Sequence, residues 1–453
     1  MSNQSIIRIT RELHEIQKGS DLSIAVACKD IDVRHVRALI LGPPETPYEF
    51  GFFEFAVKFG KDYPTKPPFV TSITTNGGRT RFNPNIYAQG KVCLSILGTW
   101  RGERGEEWSS AQGLYSILIS IQSLMSSNPY ENEPGFEDAK SEYDKTNQAN
   151  YIAKIRHETL RISVVERLEG YLSIKPNFPR PVTVYNAEDE NESNDFDSPF
   201  EPFKDKIKQR FLWYYDSYLL AIDEESQKHK DGEKFEKMPF EGPSNSMDGT
   251  FQYTELRERL CRVRQKLEDE AEKWGEEGKS AVQKELGIAS NLQRQFEQTV
   301  EVYKQNVDVT LDLSLVGKNP FIWDITLFGR PMTNLDGGIF RIKMMISPRF
   351  PIEQPRVKVE TPLFHHRVSK DGQLCYFVAK TDDLKSHVEG IISAVEEEEP
   401  NYDPRTLVNP EAAKLLWGTP EDKKMYARKL RRSARDSSEY VDALLQLMRT
   451  ADL

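Results

Sequence analysis

The chain repeats itself, and the repeat limits the fold more than any single motif does. Gly51-Phe52-Phe53 stands twelve residues ahead of Tyr63-Pro64, and Gly338-Ile339-Phe340 stands at the same interval ahead of Phe350-Pro351. Pro68 and Val70 then answer to Pro355 and Val357, and the Gly-x-x-Cys spacing of Gly90 to Cys93 returns from Gly372 to Cys375. Whatever unit the first half forms, the second half must form again.

Residue patterns say what that unit is. In the first half, Ser23 to Cys28, Val33 to Leu41 and Phe52 to Phe59 are rich in β-branched and aromatic residues and are separated by Asp-, Pro- and Gly-containing turns, which predicts an antiparallel meander with Cys28 as a structural residue inside it. In the second half, Val307, Val309, Leu311, Leu313 and Leu315 alternate with polar residues. Phe321, Trp323, Ile325 and Leu327 give a second such strand, and Phe340, Ile342, Met344 and Ile346 a third. Ile6, Ile9, Leu13 and Ile16 form the apolar stripe of a leading helix, with Arg8, Arg11 and Lys18 off it. Ser109 with Gln112 reads as a capping box opening a helix whose Leu114, Ile117, Leu118, Ile121 and Met125 face a core. Residues 187–195 lack apolar side chains and read as a flexible acidic linker, and Trp100 to Trp108 as a mobile Gly- and charge-rich loop. Leu256, Leu260, Val263 and Leu267, then Val282 and Leu286, predict a helical strut between two domains, with Cys261 a structural residue within it. The basic run from Lys423 to Arg435 reads as the exposed face of a helix. The fold class is α+β.

With 453 residues there is room for two or three domains. A net charge of −10 supplies no basic field for phosphates, which argues against nucleic acid as a partner. Cys28, Cys93, Cys261 and Cys375 form no Cys-x-x-Cys pair, so neither a zinc ribbon nor a disulfide framework is expected, and a reducing compartment fits. No apolar run reaches the ~18 residues of a membrane span, and the first ten residues hold no signal-peptide core, so a cytoplasmic or nuclear protein without membrane association is expected.

The chemistry concentrates in Phe82-Asn83-Pro84-Asn85-Ile86-Tyr87-Ala88-Gln89-Gly90-Lys91-Val92-Cys93-Leu94-Ser95-Ile96-Leu97. A thiol placed after a tight polar loop and before an apolar run is expected at the mouth of a shallow groove. Asn85, eight residues upstream, can offer its amide N–H to an oxyanion forming on an acyl group bonded to the sulfur. No His follows closely as a base, which argues against a Cys protease; a thiol hydrolase would have to recruit His157. A free Cys is most often a buried small hydrophobe, but the flanking motif favours a reactive thiol. His365 and His366, adjacent on an extended segment, are expected to point to opposite faces and to serve structure, and no metal site is expected.

At Asn83-Pro84-Asn85 and Cys93 the sequence resembles the ubiquitin-conjugating enzyme family, whose signature is a His-Pro-Asn triplet, a short loop and the cysteine that carries the modifier as a thioester. Asn83 stands here in place of the His. Asn128-Pro129-Tyr130-Glu131-Asn132-Glu133-Pro134-Gly135, the run from Tyr151 to Arg161, and Phe211 to Asp216 resemble the Z-type branch, a likeness that runs from residue 1 to about residue 270. The resemblance implies two ubiquitin-conjugating folds, each a four-stranded antiparallel meander flanked by helices: a core at 1–172, an acidic linker at 173–204, a helical extension at 205–290 and a second, degenerate fold at 291–453.

It also implies roles. Cys93 is the thioester nucleophile, Asn85 serves the oxyanion or the loop, and Glu131 or Glu133 orients an acceptor amine, which at pKa ~10.4 needs a proton acceptor nearby. Arg8, Arg11 and Lys18, with Tyr63, Pro64, Thr65, Ser110 and Ala111, are implied contacts for the activating enzyme and a ubiquitin ligase. In the second half Arg367 occupies the place of Asn85, while Asp403 keeps an acid in the post-cysteine loop, so Cys375 is either a second thiol or part of a docking module. Implied partners are ubiquitin or a ubiquitin-like modifier, its activating enzyme, a ligase and protein substrates. The chain itself would hold no cofactor, because the activating enzyme consumes the ATP. The rival reading is a noncatalytic adaptor that binds modifier or partners through both folds.

Overall fold

The computed structural model describes residues 3–19, 21–29, 31–102, 105–174, 200–242, 247–305 and 310–451. The acidic run at 187–195, Glu103 and Arg104 of the Gly-rich loop, and Val307 and Val309 of the alternating run lie outside them. The chain divides into two compact units, Met1–Ile207 with Ala221–Val263, and Lys208–Leu220 with Arg264–Leu453.

In the first unit, helix α1 (Asn3–Lys18) is followed by β1 (Ile24–Lys29), β2 (Asp32–Leu41), β3 (Phe52–Lys58) and β4 (Phe69–Ser72), an antiparallel sheet in chain order. β2 and β3 pair from His35 against Lys58 to Leu41 against Phe52, so Val36, Ala38 and Ile40 share a core face with Phe53, Phe55 and Val57. The buried stripe of α1 is Ser5, Ile9, Leu13 and Ile16, not the one expected from Ile6. Ser5 Oγ donates to the Tyr63 carbonyl at 2.7 Å, which turns the helix so that Ile6 is 40% exposed.

Helix α2 (Leu114–Leu124) lays Leu114, Ile117, Leu118 and Ile121 into the core, with Met125 just beyond it. The expected capping box does not open it. Ser109 and Gln112 close a turn on each other, while the first helical N–H, that of Leu114, donates to Glu12 Oε2 at 2.9 Å. A carboxylate from α1 thus caps α2.

α3 (Glu142–Glu158) runs through a π-helical stretch, Thr159–Glu166, into α4 (Arg167–Tyr171). This buried segment is rich in charge, and each charge is paired. Arg161 grips Glu158 at 2.8 and 2.6 Å and reaches Glu166 at 2.6 Å; Arg259 grips Glu169 at 2.9 and 2.7 Å; Lys154 holds Glu241 at 2.8 Å. Met238, Met247 and Phe240 pack against the same core, so a stretch well past α4 completes the first unit.

Two long helices contribute to both units: α5 (Lys204–Ser226), whose middle at 208–220 belongs to the second, and α6 (Tyr253–Gln283), which passes from first to second after Val263. Cys261, expected to be structural, is exposed on α6.

The second unit continues with α7 (Gly287–Lys304) and a four-stranded antiparallel sheet in the order β5 (Leu311–Leu315), β6 (Ile322–Phe328), β7 (Ile339–Met345) and β8 (Arg356–Val359). Trp323 and Ile325 face the core with Phe340, Ile342 and Met344, reproducing the first sheet's arrangement. α8 (Leu384–Glu396), α9 (Pro410–Leu416) and the long basic α10 (Pro420–Ala451) complete it. Tyr63-Pro64 and Phe350-Pro351 are both cis. No helix among the described residues is long and apolar enough to cross a membrane.

Candidate active site

The two thiol loops share one backbone course. The Cys93 N–H donates to Asn85 O at 2.8 Å and that of Cys375 to Arg367 O at 2.9 Å; Tyr87 N to Lys91 O at 2.8 Å matches Ser369 N to Gln373 O at 3.0 Å. Gly90 and Gly372 lie in the left-handed region at φ 93° and 91°, where only glycine avoids strain, and a Cβ there would fall 2.7 Å from Ser72 O or 2.1 Å from Val359 O. Even the first residue of the triplet keeps its task. Asn83 Oδ1 accepts from the Asn85 N–H at 2.8 Å, and the His365 Nδ1 accepts from the Arg367 N–H at 3.1 Å. Asn83 also donates to Leu124 O at 2.8 Å and to the Tyr48 hydroxyl at 3.1 Å, which anchors the triplet to the end of α2.

Around Cys93 the side chains are polar and short-reaching. The thiol is not at a groove mouth as expected: its residue is 3% exposed, although Gln89, Lys91 and Gly98 to Trp100 on the same loop are exposed. Asn85 Nδ2 donates to the Cys93 carbonyl at 3.2 Å, so the amide is held beside the residue that would bear the acyl group. Tyr87 is the side chain that periodicity and spacing passed over. Its phenol is raised above the ordinary value first by burial and then by the nearby Cys93 sulfur. Of the two candidate acids, Glu131 is exposed, whereas Glu133 is tied to Arg81 at 2.9 Å and faces Tyr87. His157 takes no part: its ring nitrogens meet Glu158 at 3.1 Å and the Gln252 N–H at 3.1 Å, deep in α3, which removes the hydrolase reading.

Around Cys375 the chemistry is different. Arg367 stands in Asn85's place, with Nη1 3.9 Å from the sulfur, and its guanidinium is held by Glu397 at 2.6 Å and over the Phe377 ring at 5.4 Å. The middle of α5 lies against the same loop. Tyr214 donates to Arg405 O at 2.7 Å, Trp213 meets the Phe377 ring at 5.8 Å, Arg210 lies over both Trp213 and Phe377, and Asp216 accepts from the Lys370 N–H at 3.1 Å. Cys375 is fully buried, and burial pushes its thiol up to about 11 over the opposing pull of Arg367 and Arg210. Asp403 is bound to Arg405 at 2.8 Å, whose hydrogen bonds hold the carboxyl below the ordinary range although burial works the other way. His365 and His366 are both buried with ring centroids 4.3 Å apart, not on opposite faces, because the tight loop folds the segment back. His366 Nδ1 pairs with the Tyr426 hydroxyl at 3.1 Å. No cluster among the described residues is arranged to hold a metal ion.

Several of the implied partner contacts are tied to one another within the first unit. Arg8 donates to Ser110 O at 2.6 Å, to Gln112 O at 2.5 Å and to Glu12 at 2.7 Å, so its charge clamps two segments and is not free as a contact. Tyr63 is buried against Glu12 at 2.7 Å, and Pro64 O accepts from the Trp108 indole at 2.8 Å. Arg11, Lys18, Thr65, Ser110 and Ala111 are exposed.

The site is thus a four-stranded meander closed by helices and followed by a cysteine loop braced by an amide. Comparison places it. The profile of the ubiquitin-conjugating enzyme family matches residues 8–159 and again 290–433, and the chain belongs to that family. Human ubiquitin-conjugating enzyme E2 Z is 39% identical over 264 residues, 58% of this chain and 64% of that protein, and its zebrafish (Danio rerio) counterpart is 39% identical over 268 residues, 59% of this chain and 70% of that protein. The chain thus spans just under two thirds of the human relative. The human dual E2 ubiquitin-conjugating enzyme/E3 ubiquitin-protein ligase BIRC6 is 41% identical over 155 residues, 34% of this chain and 3% of that protein. Among solved structures, the E2 domain of a Toxoplasma gondii ubiquitin conjugating enzyme is 28% identical and covers 35% of this chain and 98% of its own, with a TM-score of 0.28.

Proposed function

We propose that Cys93 accepts ubiquitin or a related modifier from an activating enzyme and passes it to an amine. The incoming sulfur displaces the activating enzyme's thiol from the modifier's C-terminal carbonyl, and the acceptor amine then displaces Cys93, leaving an amide and restoring the thiol. The observation that carries this reading is the Asn85 amide on the Cys93 carbonyl at 3.2 Å, in a family-matched loop. In this scheme the same amide, already held beside Cys93, would donate to the oxyanion that forms on the modifier's carbonyl. Glu133 is the favoured acceptor-side acid, since Arg81 holds it toward Tyr87 while Glu131 points to solvent.

The chain holds no cofactor in this scheme, and ATP is consumed by the activating enzyme. Arg11, Lys18, Thr65, Ser110 and Ala111 form the exposed surface offered to that enzyme and to a ligase. A cytoplasmic or nuclear location and protein substrates complete the reading, with a catalytic core at 1–172, a linker at 173–204, an extension at 205–290 and a second fold at 291–453.

The second fold is a docking or regulatory module, not a second carrier; the observation favouring this is Arg367, held by Glu397, in the place of Asn85 beside a Cys375 whose thiol is raised. The test is a charging assay with activating enzyme, ATP and labelled modifier on wild type, Cys93→Ala and Cys375→Ala, resolved with and without reductant. A reductant-sensitive adduct lost only in Cys93→Ala supports both statements. Loss shared between the variants would make the chain a two-thiol relay, and no adduct in wild type would favour the adaptor.

A further inference from the structure

One buried charge of the first site has no counterpart in the second. Arg81 stands two residues before Asn83 and is 7% exposed. Its Nη2 donates to Pro84 O at 2.5 Å and to Glu133 Oε2 at 2.9 Å, and its guanidinium carbon lies 4.9 Å from the centroid of the Tyr87 ring. Its Nε is buried with no hydrogen-bond partner. In the register that pairs Gly90 with Gly372 and Cys93 with Cys375, Leu363 answers to Arg81 and Ser369 to Tyr87. The fold is therefore built equally well on a leucine at this place, and Leu363 is buried in the second core. A buried guanidinium is expensive to desolvate, and one with a donor left unpaired more so, which makes packing a poor account of it.

What Arg81 does is tie the loop after α2 to two points of the thiol loop. Pro84 lies in the tripeptide that presents the Asn85 amide, Glu133 lies in the loop after α2, and Tyr87 lies in the thiol loop between Asn85 and Cys93 with its ring under the guanidinium. We propose that Arg81 is a positioning residue for transfer from Cys93 to the amine, fixing Glu133 and Tyr87 on the thiol side of the loop while bracing the Pro84 carbonyl behind Asn85. The inference rests on the carrier reading of Cys93 and adds to it the device that sets acceptor-side geometry. Charging needs the sulfur and a bound partner thioester; discharge to an amine needs the acid and the phenol in register, and there a displacement of about 1 Å is costly.

The test compares full-length wild type, Arg81→Met, Arg81→Lys, Glu133→Gln and the double variant Arg81→Met/Glu133→Gln. Charging by activating enzyme, ATP and ubiquitin is measured first, then discharge of the purified thioester to free lysine over a range of lysine concentrations. Arg81→Met is expected to lower the limiting discharge rate by about tenfold to a hundredfold while lowering charging far less. Arg81→Lys, which keeps the charge and can reach one of the two acceptors, recovers part of that loss. Because Arg81 acts through Glu133, the double variant discharges no more slowly than the slower single variant. Charging and discharge falling together in Arg81→Met, with a lower melting temperature, would show a merely structural ion pair and overturn the inference. Multiplied losses in the double variant would overturn it too. If Arg81→Met does not fold, Arg81→Lys against Glu133→Gln decides on the same two rates. Failure of wild type to charge at all would instead sink the carrier reading beneath it.

Discussion

Cys93 and Cys375 sit on loops whose main-chain bonds agree to within a few tenths of an ångström, yet their surroundings make opposite uses of a sulfur. Beside Cys93 stand an amide, a phenol and a carboxylate pinned by Arg81; beside Cys375 stand two guanidiniums and the covering middle of α5. Amide and phenol are hydrogen-bond donors that carry no fixed charge. Arg367 instead fills the place with a long side chain already committed to Glu397. The loop backbone is thus a neutral platform, and a few side chains decide whether it is a carrier site.

The sharpest way to break this comparison is at the sulfurs. Cys93→Ala is expected to abolish the reductant-sensitive adduct, and Cys375→Ala to leave it at the wild-type level. Next in size is chemical access. With iodoacetamide on the native chain, read by mass spectrometry, the exposed Cys261 is expected to label first and Cys375 last, and Tyr214→Ala, which opens the α5 cover, to raise Cys375 labelling at least about tenfold. Cys375 labelling as fast as Cys261 in the wild type would remove the distinction.

Stability against pH separates the two units further. Glu158 is held down to about 2 in the first unit, where Arg161 and His157 outweigh the penalty of burial. Its folded value lies below its ordinary 4.5, so about 3 kcal/mol is present above pH 4.5 and is lost as pH falls toward 2; Glu158→Gln should flatten that acid limb in a melting series. Cys375 has the opposite sign. Its folded value of about 11 lies above the ordinary 9.0, so stability is complete below pH 9 and declines by about 3 kcal/mol as pH rises toward 11, a loss that Cys375→Ala should remove. Smallest are the glycine variants. Gly90→Ala and Gly372→Ala each place a Cβ against a carbonyl from a positive φ, and each is expected to lower stability by about 1–3 kcal/mol, the second more because its contact is shorter.

Much of this was legible in the sequence because the repeat rests on backbone-determining residues. The Gly-x-x-Cys spacing marks the left-handed turn, and alternating apolar residues mark the sheets, so both meanders and both thiol loops were visible. What stayed hidden depends on pairing over long separations. Nothing local to Ser109 and Gln112 says that Glu12 caps α2 in their stead, and Ile6 looks as apolar as Ile9 until Ser5 binds the Tyr63 carbonyl. Arg8 reads as an exposed contact until its three acceptors are seen. Cys93 and Cys375 have equal spacing signals; Arg367 in the place of Asn85 separates them in the sequence, but the cover supplied by residues 208–220, far away in sequence, does not show there.

The division of α5 and α6 between the units has a topological consequence. The stretch 208–220 belongs to the second unit although first-unit residues precede and follow it, so no single break in the chain yields both units whole. A fragment ending after residue 263 would carry Phe211, Trp213 and Tyr214 away from the fold that buries them, leaving it with bare aromatic surface and the remainder with an uncovered Cys375. The two units are thus interleaved along the chain, and no cut at any one linker leaves both intact.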